Sequence, residues 1–302
     1  SLPLQDRLLP ASVPRSRPEY DLCLSTFSAT YGSVTTDEIQ SHKNPQAWLS
    51  DKVDAHVFSD LLTTGSVADQ ARLLSKTLPG SGSWLVAVPS RQNSIPPRQF
   101  RTLLKFHCRL PIFPHSVICP RCSSALDSFG DHAVSCNHSP GIMDRHTSVR
   151  NVLAAYCRSS GLATLCEPIN LLHDASRPAD VYISQFEGRE TCLDVSVVHP
   201  CTPSTVVHAA QERGYAASSM EASKLALYSE RCAANNLLFL PIILESYGGF
   251  GPSAVISLCR LARLRAQFTG EEYSSCKKWL FQSMAIASQR AIALSLQDRS
   301  DR

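Results

Sequence analysis

Three cysteines and one histidine lie close together in the stretch CPRCSSALDSFGDHAVSC. Their spacing is Cys119-x2-Cys122-x9-His132-x3-Cys136. Zinc prefers four thiolate or imidazole ligands in a tetrahedron, and pairs of residues at these spacings can supply them. The pattern predicts a structural zinc site, with Cys108 and His138 as spare candidates if one ligand is misassigned. Four protein ligands leave no open position, so we do not expect this zinc to be catalytic.

Two other interpretations stay open for the same residues. The cysteines could be buried free thiols beside an unrelated histidine, or CPRC could be a redox pair. A redox pair is less favoured because no strand–helix–strand pattern surrounds this stretch.

A second group of candidate residues lies in RPADVYISQFEGRETCLDVSVV. Asp180 begins one predicted strand and Asp194 lies inside the next, with a tight turn at Gly188 between them. Hairpin partners of this kind bring two carboxylates to one end of a sheet, and carboxylate oxygens suit Mg²⁺. Asp194 is flanked by Leu193 and Val195, where a carboxylate is costly unless its face opens onto a site. The pattern therefore predicts a magnesium site at these two aspartates.

Two further residues are candidates for the same site. Glu167 lies on the preceding predicted strand or at its edge, and Lys224 lies on the long helix that follows. A lysine beside a bound metal ion can position the attacking water and stabilise a pentavalent phosphate. The alternative interpretation is that the aspartates are caps or turn residues and that the lysine is a solvated side chain.

The elements that must position these residues follow from hydrophobic periodicity and from the Gly and Pro positions. Residues 1–46 are rich in Pro, Ser and Thr and predict a largely irregular linker. Residues 47–112 show helical periodicity, and the zinc knuckle follows at 113–140. Residues 141–250 predict the order α-β-β-β-α-β, with a helix over 203–235, and residues 251–302 predict C-terminal helices. The four predicted strands lie within 162–172, 177–186, 191–200 and 236–246.

Composition limits the classes of protein to consider. The 302 residues carry a net charge of +3 and include 12 cysteines and 43% hydrophobic residues. There is no apolar run of membrane-spanning length and no secretory signal, so we expect an intracellular, reducing location with mostly buried thiols. Since the first residue is Ser1 and not Met, we expect a piece of a longer or processed protein. Neither a G-x-S-x-G elbow nor a G-x-x-x-x-G-K-[ST] loop is present, which disfavours serine hydrolases and nucleotide-hydrolysing motors.

Basic residues cluster around the cysteines even though the net charge is small. Between Arg98 and Arg150 there are seven Lys and Arg against three Asp, together with five His. Such a zone is the electrostatic footprint of phosphate contacts, although a solvated face would give the same pattern. The candidate nucleic-acid-binding residues are Arg98, Arg101, Lys105, Arg109, Arg121, Arg145 and Arg150.

The order of these motifs resembles one family. CPRC, GDHAVSC, an Arg–His pair, RPADV, LDVSVV, a helix with Lys224 and Tyr228, and LPIILESYGGFG follow one another along the chain. This order is similar to the C-terminal region of non-LTR retrotransposon proteins, which place a CCHC zinc knuckle beside a restriction-like, PD-(D/E)XK endonuclease domain. The resemblance covers about residues 50–270.

The resemblance implies an α/β fold: a restriction-endonuclease-like core with a helical N-terminal unit and a small zinc-binding module. Asp180 matches the first aspartate of the family motif, with PAD in place of PD, and Asp194 matches the second acidic residue. The lysine position of the motif is occupied by Ser196. Related nucleases place this lysine on the following helix, where Lys224 lies, so cleavage requires Lys224 to point at the carboxylates.

The resulting hypothesis is a Mg²⁺-dependent DNA endonuclease, located in the nucleus, that also holds a structural Zn²⁺. The resemblance implies DNA and RNA of the element as partners. Because this chain contains no Tyr-x-Asp-Asp signature of a polymerase, the resemblance places the reverse transcriptase region upstream of it. Two alternatives remain. One is a catalytically inactive, nucleic-acid-binding remnant, and the other is a zinc-stabilised interaction module with structural carboxylates.

Overall fold

The computed structural model of the chain describes residues 18–91, 93–114, 117–174 and 176–300. The chain divides into two compact units, Ser1–Gly65 and Ser66–Arg302. The boundary falls inside the helical segment predicted for residues 47–112, because Gly65 ends one helix and Ser66 caps the next through its bond with Asp69. No helix of the described residues is both long and apolar enough to span a bilayer.

Three helices form the described part of the first unit. They are α1 (Pro18–Tyr31), α2 (Thr36–Ser41) and α3 (Pro45–Thr64). Thr35 and Glu38 exchange hydrogen bonds in a capping box at the start of α2, and the Asn44 side chain caps α3. The helices enclose a small apolar cluster, formed by Val34, Ile39 and Leu49 with Leu24, Phe27 and Trp48 around it.

The prediction of a largely irregular linker over residues 1–46 is wrong for residues 18–46, which are mostly helical. Pro and Thr are typical of irregular chain, but in this segment they stand at the starts of helices. Pro18 and Pro45 stand at first helical positions, where the missing N–H of proline costs nothing. Residues 1–17 of the predicted linker lie outside the described residues.

The second unit begins with two helices and the segment that carries the cysteines. These elements are α4 (Val67–Lys76), α5 (Pro97–His107), the hairpin strands β1 (Val117–Ile118) and β2 (Ala125–Leu126), and α6 (Asp131–Ser135). The predicted core follows with α7 (Gly141–Ser159), β3 (Thr164–Cys166), β4 (Val181–Phe186) and β5 (Arg189–Val198). It continues with α8 (Val206–Ala209), α9 (Tyr215–Ala234), β6 (Leu238–Glu245), α10 (Pro252–Thr269) and α11 (Tyr273–Ser300).

The predicted order α-β-β-β-α-β is confirmed from α7 to β6, with one correction. The single helix expected over 203–235 is divided into α8 and α9. Gly214 separates them with φ of +76°, a left-handed backbone conformation that glycine adopts at little cost. A Cβ at this position would lie 2.9 Å from Leu78 Cδ2, so the close packing of Leu78 also favours glycine.

The four strands of the core form one mixed sheet in the order β3-β4-β5-β6. The pairs β3–β4 and β4–β5 are antiparallel, and β5–β6 is parallel. A parallel pair needs a crossover connection, and α8 and α9 supply it. Pro241 is tolerated within β6 because this strand lies at the edge of the sheet and needs to pair on one side only.

Helices cover both faces of the sheet. One face presents Val181, Ile183, Leu193, Val195, Ile242 and Leu244 to a core shared with α7, α10 and α11. On the other face, Cys192 and Phe239 pack with Cys232 of α9. Because side chains alternate along a strand, Asp194 shares the α9 face with Cys192.

The cysteine segment and the C-terminal helices, predicted as separate segments at 113–140 and 251–302, share a second core. Buried side chains of α5, β2, α6 and α11 pack together there; they include Leu103, Phe106, Leu126, Ala133 and Leu296. The cysteine segment is therefore a part of the second unit and not a separate module.

Candidate functional site

The four predicted zinc ligands lie together in the folded chain. Cys119 follows β1, Cys122 lies in the β1–β2 turn, and His132 and Cys136 lie in and directly after α6. Their ligand atoms all lie within 4.8 Å of one another, with 4.0 Å between Cys119 Sγ and Cys136 Sγ and 3.2 Å between Cys122 Sγ and His132 Nε2. A Cys₃His set of this size could hold a metal ion such as zinc.

Asp127 fixes the backbone that presents His132. Its Oδ1 accepts hydrogen bonds from the N–H groups of Phe129, Gly130 and Asp131 at 2.9, 2.7 and 3.0 Å. Its Oδ2 accepts one from the His132 N–H at 2.6 Å. Gly130 has φ of +96°, which a residue with a Cβ adopts only with strain. The sequence FGDH thus forms a tight turn that leads directly into α6, the helix that carries His132.

The surroundings of Cys119 favour its thiolate over its thiol. Burial by itself raises the pKa of this thiol, but the N–H of Arg121 and the guanidinium of Arg299 outweigh burial and lower the pKa to about 6. The thiolate, which is the form that binds metal ions, is therefore populated at neutral pH. The spare candidates Cys108 and His138 are exposed and lie outside the cluster.

A neighbouring group of Asp131, His199 and Cys201 also brings metal-binding atoms together. Asp131 Oδ1 lies 3.2 Å from His199 Nε2, and Asp131 Oδ2 accepts a hydrogen bond from Arg109 Nη1 at 2.9 Å. Because the Arg109 guanidinium already balances the charge of Asp131, we interpret this group as a structural link between α6 and the end of β5.

Two residues predicted to bind nucleic acid are engaged within the fold instead. Arg109 bridges two acidic residues, Asp69 of α4 through Nε and Asp131 through Nη1, each at 2.9 Å. Arg145 is only 2% exposed and donates from Nη1 to the Val134 carbonyl at 2.9 Å. Neither guanidinium is placed to contact phosphate, so these two predictions are wrong.

The remaining basic candidates lie nearer the surface. Arg121 pairs with Asp298 at 2.8 Å, and Arg150 pairs with the carboxylate of Glu167. The other three candidates are exposed on α5: Arg98, Arg101 and Lys105.

Asp180, directly before β4, lies across from Asp194 of β5. Val181 of β4 pairs with Leu193 of β5, and one further step along this antiparallel register places Asp180 opposite Asp194. The Asp180 N–H donates to the Leu193 carbonyl at 3.0 Å, and the Val195 N–H donates to Asp180 Oδ2 at 2.7 Å. The backbone of the hairpin thus holds the two carboxylates side by side, as predicted.

Lys224 reaches the same place from α9. Its Nζ lies 2.9 Å from Asp194 Oδ1, and the side chain of Asp194 is only 5% exposed. Asp194 Oδ2 is buried without a hydrogen-bond partner among the described residues. Burial, which outweighs the effect of Lys224, raises the pKa of Asp194 to about 6, and the charge of Asp180 adds to the rise. The carboxylate is thus incompletely compensated and suits a bound cation.

His146 of α7 is a site residue that was not predicted. Its Nε2 lies 3.0 Å from Asp180 Oδ2, and its Nδ1 is buried without a partner in the described part of the chain. A signal was present in the sequence, because His146 is three residues before Val149 and seven before Leu153, both buried. This spacing places His146 on the inward stripe of the helix.

Glu167 lies beside the site without joining it through its side chain. Its N–H donates to the Asp180 carbonyl at 2.9 Å, from a residue with φ of +47°. Its carboxylate pairs with Arg150 and is 47% exposed. Ser196, at the position where the family motif has lysine, is half-buried two residues beyond Asp194 on the same face of β5.

No protein-family model matches the chain, and no curated protein matches it. The chemistry of the two groups of residues must therefore be derived from the residues themselves. The Cys₃His set suits zinc, whereas two adjacent carboxylates beside a lysine suit a divalent cation and an anionic substrate.

Proposed function

We propose that the chain is a Mg²⁺-dependent DNA endonuclease with a restriction-like core, derived from a retrotransposon protein. One observation carries the proposal: Lys224 lies against one oxygen of the buried Asp194, while the other oxygen has no partner among the described residues. Buried carboxylates without full compensation are typical of functional sites.

The residues fit a divalent cation. Asp180 and Asp194 would hold the ion, which would supply the positive charge that the buried Asp194 oxygen lacks. When bound, Mg²⁺ lowers the pKa of its water and neutralises charge on a phosphodiester. Lys224 would orient the attacking water and stabilise the negative charge that develops on phosphate oxygens.

The fold agrees with this proposal. The order from α7 to β6, in which a helix, three strands, a helical crossover and a fourth strand follow one another, is the order that the motif resemblance implies. Ser196 replaces the lysine of the motif, and Lys224 enters from the crossover helix, as the same resemblance requires.

The proposed partners are DNA and RNA of the element, and a reverse transcriptase region upstream, in the nucleus. The exposed basic residues of α5 and the nearby metal-binding segment would contact phosphates. Because Arg109 and Arg145 are engaged within the fold, this surface is smaller than the sequence suggested. Its basic residues are Arg98, Arg101 and Lys105.

The proposal is tested by nicking of supercoiled plasmid with Mg²⁺ or Mn²⁺ at several concentrations. Wild-type protein should nick, and Asp180→Asn and Asp194→Asn should not, while both variants keep the zinc content of the wild type. Asp174→Asn is a matched control, because Asp174 is an exposed carboxylate that pairs with Arg231 away from the site. Wild-type protein that never nicks with either metal ion would exclude the proposal.

A second candidate is a nucleic-acid-binding remnant without catalysis. One observation favours it: each carboxylate already has an internal partner, His146 for Asp180 and Lys224 for Asp194. These pairs could replace the metal ion instead of assisting it. Calorimetric titration with Mn²⁺ separates the candidates, because the remnant would bind DNA in a salt-dependent manner but would not bind Mn²⁺ at the carboxylates.

A further inference from the structure

Two arginines are buried close to the cysteine cluster. Arg145 is 2% exposed and Arg299, at the end of α11, is 3% exposed. Their Nη1 atoms donate to carbonyls, of Val134 and Ser295 respectively. Arg145 Nε and Arg299 Nε and Nη2 have no hydrogen-bond partner within the described residues. A buried guanidinium without an anionic partner is strongly unfavourable, so the fold requires a negative charge nearby.

Both guanidinium groups lie at the metal-binding segment. Val134, the partner of Arg145, lies in α6 between the ligands His132 and Cys136. The last turn of α11 packs on the same segment, because Leu296 is so close to Gly130 that a Cβ there would lie 2.5 Å from Leu296 Cδ2.

An ion pair agrees with this placement. Arg121, which lies between the ligands Cys119 and Cys122, pairs with Asp298 at 2.8 Å. Asp298 directly precedes Arg299, so the end of α11 lies at the cysteine turn. Burial lowers the pKa of Arg145 to about 10, and the nearby Arg299 lowers it further, so the two arginines lie close to each other.

A loaded Cys₃His site supplies the missing anion. Zn²⁺ carries two positive charges and three thiolates carry three negative charges, so the site with a neutral histidine has a net charge of −1. Thiolate sulfurs of a zinc site have lone pairs left to accept hydrogen bonds from N–H donors, and such donors tune the affinity of the site.

We propose that Arg299 donates hydrogen bonds to the thiolates of the loaded site and, together with Arg145, balances its negative charge, so that metal binding fixes the last turn of α11. This inference goes beyond the proposed nuclease activity. It concerns the Cys₃His site alone and holds whether or not the chain cleaves DNA.

The first test compares zinc affinity among variants by competition with a chromophoric chelator. Arg299→Met, which removes the charge and keeps much of the volume, should weaken zinc binding about 10- to 100-fold. Arg299→Lys should lose less zinc affinity than Arg299→Met, because a positive charge remains. Arg290→Met is the matched control: Arg290 lies on the same helix and donates to the Ser94 carbonyl, so zinc affinity should not change. Equal affinity of Arg299→Met and wild type would overturn the proposal.

A second measurement uses the wild-type protein, in case Arg299→Met does not fold. Amide hydrogen exchange is followed with zinc bound and after chelation. Exchange in the last turn of α11, around Leu296 and Arg299, should accelerate more than exchange at the start of the same helix around Trp279. Unchanged exchange in the last turn, or an equal acceleration along the entire helix, would contradict a local link to the metal ion.

Discussion

Lys224 Nζ of α9 lies 2.9 Å from Asp194 Oδ1 of β5, so the lysine reaches the carboxylate from the crossover helix and not from the strand itself. The strand position where the family motif has lysine is Ser196, which lies on the same face. Both positions thus border the same carboxylate, so a lysine at either one lies near Asp194.

We expect Lys224→Ala to slow plasmid nicking by about 10²- to 10³-fold, the loss typical of one removed donor to a developing charge. Ser196→Lys added to this variant should restore part of the rate, because its side chain projects from the face that carries Asp194. Single-turnover nicking rates measure both effects. Lys278→Ala serves as a control, since Lys278 is exposed on α11. Wild-type rates in Lys224→Ala would show that the lysine has no part in cleavage.

The pH dependence of stability should show the buried charge of Asp194. Its pKa is raised from 3.8 to about 6 on folding, mainly by burial, so the folded chain holds this proton more tightly than the unfolded chain. The free energy of unfolding therefore falls as the pH rises from 3.8 to about 6. Asp194→Asn lacks the effect, and its stability relative to wild type should increase by roughly 1 kcal/mol between about pH 5 and about pH 8.

This comparison is made by urea unfolding of both proteins in buffer without Mg²⁺, with zinc retained. The quantity compared is the change with pH in the difference between the two free energies of unfolding. The loss of the Lys224 partner in Asp194→Asn adds a constant to this difference and therefore cancels. A difference between the two proteins that stays the same at both pH values would show that Asp194 has an ordinary pKa in the folded chain.

His146 should act by positioning Asp180. His146→Ala removes the 3.0 Å contact to Asp180 Oδ2 and should slow nicking on the order of 10-fold, while weakening Mn²⁺ binding. His146→Gln can keep a hydrogen-bond donor near the position of Nε2, so its nicking rate and Mn²⁺ affinity should fall less than those of His146→Ala. The control is His138→Ala, because His138 is exposed and outside both groups of candidate residues. A purely structural role predicts a lower thermal midpoint with unchanged Mn²⁺ affinity.

The cysteines of the Cys₃His cluster should differ from the other cysteines in their effect on zinc content and stability. Cys122→Ser should lower zinc content and the midpoint of thermal unfolding, since binding of a structural metal ion stabilises the folded state. Cys108→Ser should change neither, because Cys108 is exposed and outside the cluster. Atomic emission and calorimetry measure the two quantities. Full zinc content in Cys122→Ser would show that the ligand set is wrong.

The sequence predicted the parts of the fold that depend on local patterns. The alternation around Val181 and Leu193, with the turn at Gly188, placed Asp180 and Asp194 at the same end of a hairpin, because a short turn pairs the segments on either side of it. The one-residue register shift between Ile183 and Phe186, which brings Asp180 opposite Asp194, was not predicted. The cysteine spacing predicted the cluster for the same reason, since a few residues of chain determine how close its ligands can lie.

Features that depend on distant partners could not be predicted in this way. Arg145 and Arg109 look like other surface arginines in the sequence, and only the carbonyl of Val134 and the carboxylates of Asp69 and Asp131 show that they belong to the interior. The sequence predicts Glu167 in the site because it lies on a predicted strand or at its edge. Its pairing with Arg150, on a different element, takes the carboxylate elsewhere.

The bridge formed by Arg109 between Asp69 and Asp131 determines how far the protein can be shortened. A truncation that begins at residue 113, the start of the predicted cysteine segment, would delete Arg109 and leave Asp131 beside His199 without its guanidinium. A truncation that begins at Ser66 retains α4 and the complete bridge. Residues 66–302, which form one compact unit, are therefore the natural choice for a shortened protein, and the cysteine segment is not suited to transplantation alone.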